Sequence, residues 1–125
     1  MTPFDLVLLP FPFTDLSAAK QRPALVLAAF RPRRLPEHLV VAMVTSNLDG
    51  IAFPFDLLLK DWRPAGLPKP SLVRLSKLVT LERQLVRRKL GTLTTADQSA
   101  VRSHFRSLFQ PLLAPAASRK PPGVV

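Results

Sequence analysis

Residues 20–29 read Lys-Gln-Arg-Pro-Ala-Leu-Val-Leu-Ala-Ala, and the apolar half of that stretch decides the fold. From Ala24 to Leu27 every side chain is apolar, so an extended segment here keeps neither face for water. Leu6-Val7-Leu8-Leu9 repeats the pattern. Strands apolar on both faces are covered on both. The chain has no succession of long helices to supply that cover, which predicts a small closed barrel whose outer face is also covered.

Outward from this stretch, Asp5–Leu9, Pro23–Ala29, Leu39–Val44, Phe55–Leu59 and Leu72–Val79 all have strand length and strand composition, with a weaker run at Val86–Leu93. Pro10-Phe11-Pro12, Arg31-Pro32, Asp49-Gly50 and Pro64-Ala65-Gly66 punctuate them. After Val73-Arg74-Leu75, Lys77 falls in phase with the apolar positions, which predicts a bulge or a strand end. One segment has helical period. Thr95-Ala96-Asp97-Gln98 has capping-box spacing with Thr95 as N-cap, and Val101, Phe105, Leu108, Phe109 and Leu112 follow along one face. The expected architecture is mainly β, a small barrel with a C-terminal helix over residues 1–113. Residues 114–125 read as a disordered basic tail.

Among 125 residues, 18 Lys and Arg against 8 Asp and Glu leave a net charge of +10, rising from 0 over residues 1–30 to +6 over residues 81–125. That gradient suits a polyanionic partner. The absence of cysteine removes disulfides, thiolate nucleophiles and Cys-based zinc sites. Two histidines, His38 and His104, and scattered carboxylates form no metal-binding motif, so neither metal nor cofactor is expected. Four glycines make no phosphate-binding loop. No run spans a bilayer and residues 1–30 lack the charge pattern of a secretory signal, so a cytoplasmic protein without membrane contact is expected.

Arg22, fixed before Pro23, is held extended at the entry to a buried strand, where a guanidinium can meet a phosphate bidentately. Alone, it reads first as a solvated charge at a strand start. Thr45-Ser46-Asn47 closes another apolar run with two hydroxyls and an amide, a set that donates to phosphates and also caps turns. Arg87 and Arg88 belong to a basic group before Gly91 that fits a phosphate-tracking surface as well as a solvated face. Phe11, Phe13, Phe53 and Trp62 are the loop-flanked aromatics available to stack on bases.

Three stretches add a resemblance: Phe4-Asp-Leu-Val-Leu-Leu-Pro-Phe-Pro-Phe-Thr-Asp-Leu-Ser17, Lys20-Gln-Arg-Pro-Ala-Leu-Val-Leu27 and Ala42-Met-Val-Thr-Ser-Asn47. With Asp61-Trp62, Ala65–Ser71, Val73–Leu81 and Lys89-Leu90-Gly91 they form ordered blocks similar to the PemK/MazF family of toxin endoribonucleases. The resemblance implies an SH3-like barrel of the PemK/CcdB type, working as a homodimer. It implies sequence-specific, metal-independent cleavage of single-stranded RNA by 2′-OH attack, inhibition by a cognate antitoxin, and DNA contact through the antitoxin complex. The family's catalytic arginine and strand-end Thr/Ser fall on Arg22 and Thr45. Its substrate-gating loop falls on residues 14–21, which puts Thr14, Ser17, Lys20 and Gln21 beside Ser46, Asn47, Arg87 and Arg88 as substrate-binding candidates. Two departures stand out: Leu16-Ser17-Ala18-Ala19 replaces a Gly-x-Glu-Gln stretch, and Phe4 takes the place of a glycine. A barrel that binds RNA without cutting it, and a gyrase-poisoning toxin of the same fold, are the other functions these residues accommodate.

Overall fold

A computed structural model of the chain describes residues 1–11 and 20–115. Its elements are β1 (Asp5–Phe11), β2 (Lys20–Phe30), β3 (His38–Thr45), β4 (Asp56–Leu58), β5 (Leu72–Glu82), β6 (Arg88–Thr92) and α1 (Thr95–Leu113), with a 3₁₀ turn at Arg83–Leu85. Each expected run contains a strand, and the weaker one shortens to β6. Thr14, Ser17, Phe13, the departure at 16–19 and residues 116–125 lie outside the described residues.

All pairings are antiparallel, in the order β4-β5-β3-β2-β1-β6. The expected closed barrel is therefore corrected to an open, curled sheet. β4 is too short to reach β6, and the chain from Leu59 to Leu67 crosses the gap in turns. Register shifts at Leu6/Val7, Val26/Ala28 and Ala42/Met43 mark bulges that sharpen the curl. The last of them lies where the phase of Lys77 predicts it.

The curl gives the sheet two cores. Leu6, Leu25, Ala42, Val73 and Leu75 pack with Leu59, Leu67, Leu93 and Val101 on the helix side. Val7, Leu9, Ala24, Val26, Leu39, Val41 and Leu81 alternate with them on the opposite face, covered in part by Met1, Leu85 and Val86. This is why Ala24–Leu27 has no polar position. Burial on both sides leaves no place for one.

The helix starts one residue earlier than its spacing suggests. Thr94, not Thr95, is the N-cap, accepting from the Asp97 N–H through Oγ1 and donating to Asp61 at 2.7 Å. Asp97 turns into the protein and accepts from the Lys60 and Asp61 N–H groups at 3.1 and 2.8 Å. The apolar stripe is also only partly used. Val101 is buried and Leu108 packs on the core, whereas Leu112 is 72% exposed near the helix end. Among the described residues no helix is long and apolar enough to cross a membrane.

Candidate active site

β2 and β3 run through the register Ala24↔Met43 and Leu25↔Ala42, and continuing it by two residues sets Arg22 opposite Thr45. Both share the alternation of Ala24 and Val41, so both lie on the face away from α1. On the far side of β3, Met43 pairs with Arg74 of β5. The three strands thus floor one cleft of about 460 Å³, with Arg22, Thr45, Arg74, Ser76 and Lys77 as its polar lining over Met43, Leu78 and Val79.

Each side chain has a local reason for its position. Arg22 is half-buried and precedes Pro23, which keeps its backbone extended into the ladder. Thr45 ends β3, and its Oγ1 accepts from the Asn47 N–H at 3.1 Å. The hydroxyl keeps its proton as a donor, and the turn fixes where that donor sits. Arg74 is clamped by Asp56 through Nε and Nη2, both at 3.1 Å, and its guanidinium lies 4.2 Å above the Phe53 ring. Among the described residues, no histidine or carboxylate lines the cleft.

Ser46 and Asn47 are exposed just beyond Thr45, at the rim rather than in the lining, and Lys20 and Gln21 are exposed at the start of β2. Arg87 and Arg88 are not brought to this cleft. Arg88 pairs with Leu8 at the β6 edge, two strands from β2, and the Arg87 N–H donates to the Leu8 carbonyl. Arg74, Ser76 and Lys77 are the lining groups missing from the sequence-based set. Their signal was the broken alternation after Leu75, which marks a bulge without saying what the bulge points at. Of the aromatics named for stacking, Phe53 lies beneath Arg74, and Trp62 packs on the core with Arg63 5.0 Å from its ring.

A second hollow, about 260 Å³, lies against α1 between Phe4, Leu27, Val101 and Phe105, with Arg102 and Arg106 at its side. It is apolar and holds no proton-transfer group.

A family model described as the PemK-like, MazF-like toxin of type II toxin–antitoxin systems matches residues 2–109. The chain belongs to this family. Solved structures of similar fold include the Mycobacterium tuberculosis toxin MazF-mt6 (TM-score 0.62, 19% identity, 85% of this chain and 96% of that one). A MazE–MazF complex from Deinococcus radiodurans gives a TM-score of 0.61 at 25% identity over 88% of this chain and 96% of that one. A mycobacterial endoribonuclease in complex with its cognate antitoxin gives 0.64 at 13% identity, over 88% and 93%. No curated protein matches the chain. Phe4 has a φ of 74°, in the left-handed region, a strained position for a side chain and one that the glycine expected there from the resemblance would adopt freely. Phe4 is held by its N–H to Val26, by the Leu93 N–H on its carbonyl, and by Arg102 4.7 Å from its ring.

Proposed function

We propose that this PemK/MazF-like toxin is a sequence-specific endoribonuclease acting on single-stranded RNA without a metal, and that Arg22 and Thr45 carry the chemistry. The observation behind the reading is their cross-strand juxtaposition in a cationic cleft. In the proposed reaction the substrate's own 2′-oxygen attacks the adjacent phosphorus. The O2′–P bond forms, the P–O5′ bond breaks, and the 2′-proton leaves as a proton reaches the departing 5′-oxygen. Arg22 presents two parallel donors to the phosphorane oxygens, and Thr45 adds a third from a position fixed by its turn. Ser46, Asn47, Lys20 and Gln21 at the rim read the flanking nucleotides, and the resemblance adds Thr14 and Ser17 to that set.

The mycobacterial endoribonuclease in complex with its cognate antitoxin, and the Deinococcus MazE–MazF complex, support a cognate antitoxin for this chain. Its acidic segment is drawn by the same positive field and competes with RNA for the cleft. The protein acts as an isologous homodimer in the cytoplasm, and the exposed Leu112 and Leu113 of α1 are apolar surface that such an assembly would cover.

Digestion of a long synthetic RNA tests the reading. Cuts at one short motif, undiminished in excess EDTA and leaving 5′-hydroxyl and 2′,3′-cyclic phosphate ends, are expected. An intact RNA, or 5′-phosphate ends, would show that the chain does something else.

A further inference from the structure

Two cations besides Arg22 line the cleft, and the fold treats them differently. Arg74 is committed to the protein. It grips Asp56 bidentately, its Nη2 donates to the Ile51 carbonyl at 2.9 Å, and it rests on Phe53. Its charge is compensated and its donors are largely engaged. Lys77 is in no ion pair or hydrogen bond among the described residues, and its exposed Nζ sits 4.9 Å from the centroid of the same Phe53 ring. A contact of that kind is a weak tether for an exposed ammonium.

The backbone goes out of its way to place this lysine. Val73 and Leu75 are fully buried on the helix side, and strict alternation would send residue 77 to the same side. Between the pairs Met43↔Arg74 and Ala42↔Leu78, however, β5 carries Leu75, Ser76 and Lys77 against a single step of β3. That bulge turns Lys77 out of the core and into the cleft with Arg22 and Thr45. A bulge disrupts the ladder locally, and here it delivers one uncompensated positive charge to the place where the polyanion is proposed to bind.

We propose that Lys77 is a substrate-positioning residue that holds an RNA backbone phosphate next to the one being cut, while Arg74 stays a structural cation paired with Asp56. This inference rests on the endoribonuclease reading above. A lysine suits the task because an ammonium neutralises a phosphate without demanding one orientation, whereas the scissile group needs the fixed fork of Arg22.

The test uses the full chain and two substrates. One is an oligoribonucleotide carrying the motif that the wild type cuts; the other is its 2′-O-methyl counterpart, which has no nucleophile. Lys77→Met should raise KM and the Kd for the methylated strand roughly tenfold, with kcat little changed. The log–log salt slope of binding should become shallower by about 0.7, the loss of one phosphate contact on a single strand. Lys77→Arg should restore both. Arg106→Gln, which removes one exposed charge from α1, serves as the comparison and should move the slope far less. Equal effects of Lys77→Met and Arg106→Gln would overturn the assignment of Lys77 and leave the endoribonuclease reading standing. A wild-type protein that neither binds nor cuts RNA would overturn that reading instead, and the inference with it.

Discussion

Gly66 and Gly91 hold two stretches of backbone in direct contact across the open side of the sheet. A Cβ on Gly91 would stand 2.1 Å from the Ala65 carbonyl oxygen, and one on Gly66 would stand 2.2 Å from that of Leu90. Gly66 also has a φ of 98°, which an L side chain rarely adopts. The gap left between β4 and β6 is closed here by main chain against main chain, and Leu67 and Leu93 are buried beside it although the ladder never closes.

Gly91→Ala should therefore be costly although alanine is small. Neither side of the contact is a flexible side chain, and a loss of about 2–4 kcal/mol is expected. Urea unfolding should show a lower midpoint with an unchanged slope. A change under about 0.5 kcal/mol would mean that the two backbones do not meet this closely in solution.

Asp97 makes the second junction across the same gap. It is buried and takes the N–H groups of Lys60 and Asp61, thirty-seven and thirty-six residues away in sequence. Asp97→Ala leaves both donors without that partner and should destabilise by about 2–4 kcal/mol. Loss of the Thr94 cap in Thr94→Ala should cost less, about 1 kcal/mol. Thermal melts of the two variants side by side check the order, and the reverse order would show that Asp97 is an ordinary first-turn residue.

These two junctions also mark where sequence reading stopped. The six strands and the bulge at Lys77 were legible because they follow from period and phase: Ala24–Leu27 has no polar position, and Lys77 breaks the alternation. The open side was not. The turns from Leu59 to Leu67 carry no period, and Asp97 looks like a helix N-terminal acid until Lys60 and Asp61 are seen beside it. At the candidate site, Arg22 and Thr45 were singled out by the family resemblance, the residues alone reading first as a strand-start charge and a turn cap, and the continued β2–β3 register sets them opposite each other. Arg74 and Lys77 were hidden for a physical reason: which strand lies on the other side of β3 is a long-range fact. The charge run at Arg87 and Arg88 pointed to a phosphate-tracking face, but the sheet order puts β6 at the opposite edge from β5.

Acid should act on the N-terminal strand through Asp5. Burial by itself would raise the Asp5 carboxyl, but the Thr2 N–H, the Thr92 hydroxyl and the Lys89 ammonium outweigh it and hold the pKa below the ordinary 3.8. A carboxylate with a depressed folded pKa adds stability that is fully present above the unfolded value and is lost as pH falls through the folded one. Stability should thus decline below about pH 4 in the wild type, and Asp5→Asn should be less stable at neutral pH with a flatter acid limb. Parallel acid limbs in the two proteins would show that another group carries the dependence.

The remaining prediction concerns the chemistry and separates geometry from charge. Arg22→Lys keeps the positive charge but replaces two parallel donors by a point charge, so RNA binding should largely survive while cleavage falls on the order of a hundredfold or more. Thr45→Val keeps the shape of the side chain and removes the hydroxyl, and should act in the same direction. Opposed across β2 and β3 and meeting one phosphorane, the two groups should be coupled. The double variant should then lose less than the product of the single losses. Single-turnover rates on one cleavable oligonucleotide, with binding measured on its 2′-O-methyl counterpart, give all four corners of the cycle. A 2′-deoxyribose at the scissile position should abolish cutting in every variant, because it removes the nucleophile. Full activity of Arg22→Lys, strictly multiplicative losses, or cleavage of the deoxy substrate would each show that Arg22 and Thr45 do not act together on a phosphorane formed by the 2′-oxygen.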